Sequence, residues 1–216
     1  MPELYIITGS NGAGKSSLGA NYLPDHIKET CRIFDGDKLF IEKRNELWQT
    51  LKAPKEVRKL AFEFTVDTFE KQVADALARG SNYVYEGHFT NDATWDTPRK
   101  FKAAGYTVNL IFLGLSTPDA SQLRVIERSK DGGHWVDRRT IEDNFYGNLQ
   151  KLQQHLDAVN NIQIIDTTDK HIVVAQIANG TIISSVPLQE LPDWFISYLP
   201  QITRKIKEIE EDQTSR

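Results

Sequence analysis

The chain has 216 residues, with 26 lysines and arginines against 30 aspartates and glutamates and a formal net charge of −4. This length suits one α/β domain, and the acidic balance argues against nucleic acid as the main partner, because nucleic-acid binders usually carry a basic face. The single cysteine, Cys31, excludes an intrachain disulfide; with no apolar run long enough to span a bilayer, we expect a cytoplasmic protein that binds no membrane.

The first predicted strand, residues 4–8, runs directly into the sequence GSNGAGKSS at residues 9–17. This sequence matches the phosphate-loop pattern G-x-x-x-x-G-K-[ST], in which the lysine reaches the β- and γ-phosphates and the hydroxyl binds Mg²⁺. A turn that binds nothing is the alternative, but the strand before and the helical pattern after it suit a phosphate loop. The residues predicted to bind ATP are Gly9, Ser10, Asn11, Gly12, Ala13, Gly14, Lys15, Ser16 and Ser17, with Ser16 also the predicted Mg²⁺ ligand.

Strand and helix patterns alternate along the next part of the chain. Further strands are predicted at residues 31–34, 82–87, 106–113 and 162–166, and helices at 15–23, 38–48, 54–79, 95–104, 117–129 and 137–159. Such alternation implies a mostly parallel sheet with helices on both faces. We therefore predict an α/β, three-layer fold of the P-loop kinase type with a five-stranded sheet.

The C-terminal part of the sequence has a different pattern. Two β-rich runs flank Asn179-Gly180, a strong hairpin signal, and an amphipathic helix is predicted at residues 194–210. We expect one domain over residues 1–216, with a core at 1–168 that includes a lid at about 118–156. The hairpin and helix at 169–216 would then be an appendage of that core.

Carboxylates follow several of the predicted strands, where ligands of open α/β sheets bind. Asp35 and Asp37 follow one strand and Glu86 ends another. Asp37 fits two interpretations, a base that accepts a proton from a substrate hydroxyl or the N-cap of the next helix. Glu86 would contact a metal, a donor or a substrate, or would bond to the phosphate-loop backbone.

A second group of polar residues joins two predicted helices. Arg124 and Arg128 are four residues apart on one helix, and Gly132, Gly133 and His134 lead to Arg138 on the next. Such a hairpin could be a lid whose arginines stabilise a transferring phosphoryl group, or a solvated pair of helices with surface charges. We take Arg124 and Arg128 as catalytic candidates and His134 and Arg138 as substrate contacts.

Four motifs together resemble the zeta-toxin-like P-loop kinases over residues 3–156: GSNGAGKSS, FDGDKLF (34–40), YEG (85–87) and RVIERSKDGGHWV (124–136). The resemblance implies a kinase-type P-loop fold that uses ATP and Mg²⁺. It implies phosphorylation of UDP-N-acetylglucosamine and inhibition by an antitoxin. By motif, Lys15 and Ser16 would hold ATP and Mg²⁺, Asp37 would be the base, Glu86 would contact substrate, and Arg124 and Arg128 would be lid arginines.

The chain departs from the family pattern after Gly-Gly-His. Where the family usually shows an Ile-Arg-Arg-Arg-Tyr-like run, this chain has IEDNF at residues 141–145, and Arg138 and Arg139 lie one turn earlier. Either these two arginines replace the missing lid arginine or the lid chemistry differs.

The sequence thus predicts an ATP-dependent phosphotransferase that acts on a hydroxyl of a small molecule, with a nucleotide sugar among the acceptors. A second hypothesis is an ATP-binding switch that hydrolyses ATP slowly and acts on a protein partner. A third, a kinase of nucleic-acid ends, would need a basic groove, which the net charge argues against.

Overall fold

The structure is a computed structural model that describes residues 1–130 and 135–214. Within these ranges, strands and helices alternate as far as β5, and a β-hairpin and two helices follow. The strands are β1 (Glu3–Gly9), β2 (Ile33–Asp35), β3 (Tyr83–Glu86), β4 (Thr107–Gly114), β5 (Asn161–Asp166), β6 (Ile172–Ala178) and β7 (Thr181–Ser185). The helices are α1 (Lys15–Leu18), α2 (Asp25–Thr30), α3 (Gly36–Leu51), α4 (Pro54–Arg79), α5 (Asp96–Ala103), α6 (Pro118–Lys130), α7 (Arg138–Gln154), α8 (Asp193–Tyr198) and α9 (Pro200–Thr214).

All of these strands belong to one sheet, in the order β2-β3-β1-β4-β5-β6-β7. The first five are parallel, and β6 and β7 are antiparallel additions at the β5 edge. The predicted α/β fold is confirmed, but the sheet has seven strands and not five. The hairpin joins it because the apolar side chains of β6 continue those of β5, with Ile177 opposite Ile162 and Ala175 opposite Ile164.

Helical segments cover both faces of the sheet. Ile7 and Thr8 are neighbours on β1, so their side chains point to opposite faces. A Cβ on Gly19, in the short 3₁₀ segment after α1, would lie 2.7 Å from the Ile7 side chain, whereas Thr8 bonds to Asn148 of α7. The central strands are therefore buried from both sides, as the apolar run of β4 predicts.

Several helix boundaries follow local signals in the sequence. The helix α4 begins at Pro54 and ends before Gly80, which has φ 62°, as predicted from these two residues. Three predicted helices are wrong in extent. The helix α1 ends at Leu18 and continues as a 3₁₀ turn, and α7 ends at Gln154 instead of residue 159. The last helix is divided at Pro200, which has no N–H to continue α8. None of the helices in the described ranges has the length and apolar character needed to cross a membrane.

The sheet brings the ends of three strands to one edge. Glu86 of β3 pairs in register with Ile7 of β1 and with Asp35 of β2. Because these strands are parallel, their carboxyl ends all meet the phosphate loop that follows β1. The candidate site lies at this edge.

Candidate active site

The phosphate loop adopts a backbone that requires glycine. Gly9, Gly12 and Gly14 have φ values of 141°, 72° and 92°, in the region that side chains disfavour. A Cβ on Gly9 would lie 2.1 Å from the carbonyl oxygen of Leu113, and one on Gly12 would lie 2.9 Å from Cβ of Arg124. The loop is thus pressed against β4 on one side and α6 on the other.

Lys15 lies inside the curve of this loop. Its ammonium donates to the carbonyl oxygens of Gly9 at 3.2 Å and Ser10 at 3.1 Å. Burial lowers the pKa of Lys15 to about 8, although the nearby carboxylates of Glu86 and Asp37 favour the charged form. A bound phosphate would add negative charge beside the ammonium and favour its protonated state.

Two further features of the loop fit a phosphate group. The Ser10 hydroxyl is buried and makes no hydrogen bond within the described part of the chain. Such a buried hydroxyl needs a partner, and a phosphate oxygen would supply one. The loop N–H groups, the lysine and this hydroxyl form a donor set suited to an anion, as the sequence predicts.

Ser16 and Glu86 are joined at the opening of the loop. The Ser16 hydroxyl donates to Glu86 Oε1 at 2.7 Å. Burial and the neighbouring Asp35 carboxylate together raise the pKa of Glu86 to about 7, against the bond from Ser16, which lowers it. A divalent cation would offset the repulsion between the Glu86 and Asp35 carboxylates. Hydroxyl and carboxylate oxygens are ligands that Mg²⁺ accepts.

The two aspartates after β2 have different roles. Asp35 is the N-cap of α3, because its Oδ1 accepts a hydrogen bond from the Lys38 amide at 2.9 Å. The N-cap interpretation of Asp37 is therefore wrong. Asp37 lies in the first turn of α3, where it is exposed and lines the cavity in front of the phosphate loop.

The two arginines of α6 are also in different environments. Arg124 donates to three backbone carbonyls, those of Gly12 at 3.3 Å, Thr167 at 2.6 Å and Thr168 at 2.5 Å. It therefore ties the phosphate loop to the turn after β5. Arg128 lines the cavity, and its charge is one of the influences that lower the pKa of Lys15.

Arg138 and Arg139 do not line this cavity in the structure. Arg138 bonds to Glu142 at 2.5 Å and to Asp119, on the outer side of α6 and α7. Arg139 has a side chain that is 92% exposed, so neither arginine stands in for a lid arginine here. His134 lies outside the described residues.

The cavity that these residues line has a volume of about 540 Å³. It is large enough for a small-molecule acceptor beside a nucleotide phosphate tail. Besides the predicted residues, its walls include Asp35, Lys38, Ile41, Glu42 and Val136. Asp35, Lys38 and Glu42 were not predicted as site residues. They follow one another at intervals of three and four residues, however, and this is the spacing of residues on one helix face.

Two residues beside the loop, His88 and Asn148, belong to none of the motifs found in the sequence. His88 contacts Lys15, and Asn148 of α7 contacts His88. Asn148 is buried among the apolar residues of α7, and a buried amide in such a pattern is a sign of a polar partner. Which partner it has depends on the packing of α7 against β1 and β3, which sequence alone does not specify.

A family model described as Zeta toxin matches residues 1–182. The chain belongs to the Zeta toxin family. By family and fold it is therefore an ATP-dependent P-loop kinase, as predicted. No curated protein sequence shows a significant match to it.

Solved structures show how far the fold of this Zeta toxin family member is shared. A structure from the PezAT chromosomal toxin–antitoxin system of Streptococcus pneumoniae is 22% identical, with a TM-score of 0.62 over 98% of this chain and 86% of that one. A structure of AvrRxo1-ORF1:AvrRxo1-ORF2 with sulphate ions is 16% identical, with a TM-score of 0.64 over 86% of this chain and 61% of that one. A putative kinase from Chloroflexus aurantiacus is 20% identical, with a TM-score of 0.53 over 78% of this chain and 89% of that one. At these identities the likeness shows the fold.

Proposed function

We propose that this kinase transfers the γ-phosphoryl group of ATP to a hydroxyl group of a small molecule, with Asp37 as the base. The observation that supports this most directly is the cavity that Lys15, Ser16, Asp37, Glu86 and Arg128 line together. It combines a phosphate-binding loop with a carboxylate that is not used as a helix cap.

In the proposed reaction, Asp37 accepts the proton of the acceptor hydroxyl as its oxygen forms a bond to the γ-phosphorus. The bond from that phosphorus to the oxygen bridging it to the β-phosphorus breaks, and ADP leaves with the electron pair. Lys15 and Arg128 carry the positive charge that stabilises the transferring group. Catalysis is then mainly positioning and electrostatics.

Mg²⁺ is part of the proposal. Ser16 and Glu86 are the residues that would hold it, and it would supply positive charge to the phosphate oxygens. The described residues contain no group of three or more histidine, cysteine, aspartate or glutamate ligands. An ion held largely by phosphate oxygens and water would not need such a group.

The resemblance to the zeta toxins makes a nucleotide sugar such as UDP-N-acetylglucosamine the first acceptor to test. The same resemblance, with the toxin–antitoxin system among the structural neighbours, supports an antitoxin as a protein partner. The outward position of Arg138 differs from a lid arginine over a phosphate, so the acceptor screen should include other hydroxyl compounds.

The test is an acceptor screen with ATP and Mg²⁺, with mass spectrometry to detect the gain of one phosphoryl group. We expect Asp37→Asn to keep ATP binding and to lower transfer about 100-fold, the contribution of a general base. Asp67→Asn, on the exposed side of α4, is the matched control and should keep wild-type turnover.

Two results would contradict the proposal. Unchanged transfer in Asp37→Asn would remove this residue from the mechanism. Slow ATP hydrolysis that no acceptor stimulates would instead favour the nucleotide-binding switch.

A further inference from the structure

The side chain of His88 lies beside the phosphate-loop lysine. Its Nε2 is 3.4 Å from Lys15 Nζ, and the Gly9 backbone lies close enough to the imidazole to act on its pKa as a hydrogen-bond partner. The Gly9 carbonyl oxygen accepts from Lys15 as well, at 3.2 Å. The imidazole and the ammonium therefore share one carbonyl of the loop.

Asn148 of α7 sets the orientation of this imidazole. Oδ1 of Asn148 accepts from the Phe89 amide at 2.6 Å and from the Thr8 hydroxyl at 3.1 Å. The side-chain nitrogen, Nδ2, therefore points away from these two donors. Nδ2 of Asn148 donates to the Asn144 carbonyl oxygen and lies 3.3 Å from Nδ1 of His88. Every polar atom of this buried side chain thus has a partner.

The partners of Asn148 determine which ring nitrogen of His88 carries the proton. Because the nitrogen of Asn148 is a donor, Nδ1 of His88 must be an unprotonated acceptor. The proton of the neutral ring is therefore on Nε2, facing Gly9 and Lys15. His88 then presents a donor to the carbonyl that also binds the lysine.

We propose that His88 is a positioning residue for Lys15. Its Nε2–H occupies one side of the Gly9 carbonyl, which leaves the other side to the ammonium of Lys15. The ammonium is thereby kept where it meets the β- and γ-phosphates. This inference rests on the proposed function only in that the loop binds ATP.

The same short segment contacts two polar residues of the loop, Ser16 and Lys15. Glu86 binds the Ser16 hydroxyl at 2.7 Å, and His88, two residues later, contacts Lys15. The segment is itself held by Asn148, and α7 makes a further bond to the loop from Asn144 Nδ2 to Asn11 Oδ1 at 2.7 Å. Helix α7 is thus a rigid support for the lysine.

Two substitutions separate the role of Nε2 from that of the ring as a whole. His88→Gln places an amide N–H at the depth of Nε2, whereas His88→Asn ends at the depth of Nδ1 and reaches only toward Asn148. Both remove the aromatic ring, so a general loss of packing should affect their thermal unfolding alike.

The experiment is calorimetric titration of the wild type and both variants with ATP, ADP and AMP in the presence of Mg²⁺. By its place in the phosphate-loop motif, Lys15 would contact the β- and γ-phosphates, of which AMP has neither. We expect His88→Asn to weaken ATP and ADP binding about tenfold and AMP binding less than about twofold, with His88→Gln within about threefold of wild type throughout. No acceptor is needed for these measurements.

Other outcomes would overturn the proposal. Wild-type ATP affinity in His88→Asn would show that Lys15 needs no such support. Equal losses in both variants, or equal losses for all three nucleotides, would show a structural role of the ring. A wild-type protein that binds neither ATP nor ADP would overturn the proposed function together with this inference.

Discussion

Glu86 is a carboxylate whose surroundings favour its protonated form. Burial and the Asp35 carboxylate raise its pKa from 4.5 to about 7 in the folded protein. In this pH range the folded state therefore binds more protons than the unfolded chain. The contribution of Glu86 to the free energy of unfolding of the ligand-free protein should then fall as the pH rises from 4.5 to 7, opposite in sign to the contribution of His88, whose pKa burial lowers.

The Glu86→Gln variant tests this dependence. Glutamine keeps an oxygen for Ser16 but does not titrate, so we expect the slope of unfolding free energy against pH to be more positive in the variant than in the wild type over this range. Urea unfolding at a series of pH values provides the measurement. Glu63→Gln, an exposed change on α4, should keep the wild-type slope. An identical slope in Glu86→Gln would contradict the raised pKa.

At the scale of elements, α6 is a support for the phosphate loop as well as a carrier of charge. The Ser121 hydroxyl donates to the Asn11 carbonyl oxygen, and Arg124 connects Gly12 to Thr167 and Thr168. The sequence predicts Arg124 as a catalytic lid arginine. These contacts instead support a positioning role, in which the planar guanidinium spans carbonyls from two segments.

The variant Arg124→Lys tests this role. Lysine keeps the charge but cannot span both segments, so we expect a loss of about 1–2 kcal/mol in the free energy of unfolding. Chemical denaturation followed by circular dichroism measures it. Arg139→Lys, at a side chain that is 92% exposed, serves as the control and should be neutral. A stable Arg124→Lys protein would mean that the carbonyl bonds contribute little.

At the scale of the whole molecule, the C-terminal segment completes the core. The indole of Trp194 packs so closely over Gly114 that a Cβ there would lie 2.3 Å from the ring. Trp194, Phe195, Leu199, Ile202 and Ile206 are all at most 2% exposed. We propose that residues 169–216 unfold together with the core, so that the chain is one domain.

Gly114→Ala tests this coupling. The added methyl group must displace Trp194 or β4, and such overpacking costs about 1–3 kcal/mol. We expect one cooperative urea transition at a lower midpoint, with Gly87→Ala, where nothing lies within 4 Å of the new Cβ, as the control. A separate early transition for the C-terminal segment would contradict the single domain.

The features that local patterns specify were predictable. The glycine spacing of the phosphate loop, the Pro54 and Gly80 boundaries of α4 and the alternation of strands and helices each depend on neighbours along the chain. The role of Asp37 was predictable only as two alternatives, a base or an N-cap. Asp35 and Asp37 both fit an N-cap by type, and the choice depends on which side chain faces the first turn of α3.

The sequence by itself thus determined the phosphate loop, the α/β class and the family, because these follow from short-range spacing and residue type. Only the tertiary structure decided that the hairpin joins the sheet, that Arg124 spans two backbone segments and that His88 lies beside Lys15. The reason is physical: the contacts of Arg124 and His88 join segments far apart in sequence, and the hairpin pairs with an edge of β5 that exists only in the assembled sheet. Strand register and helix packing, and not local propensity, set which side chains meet there.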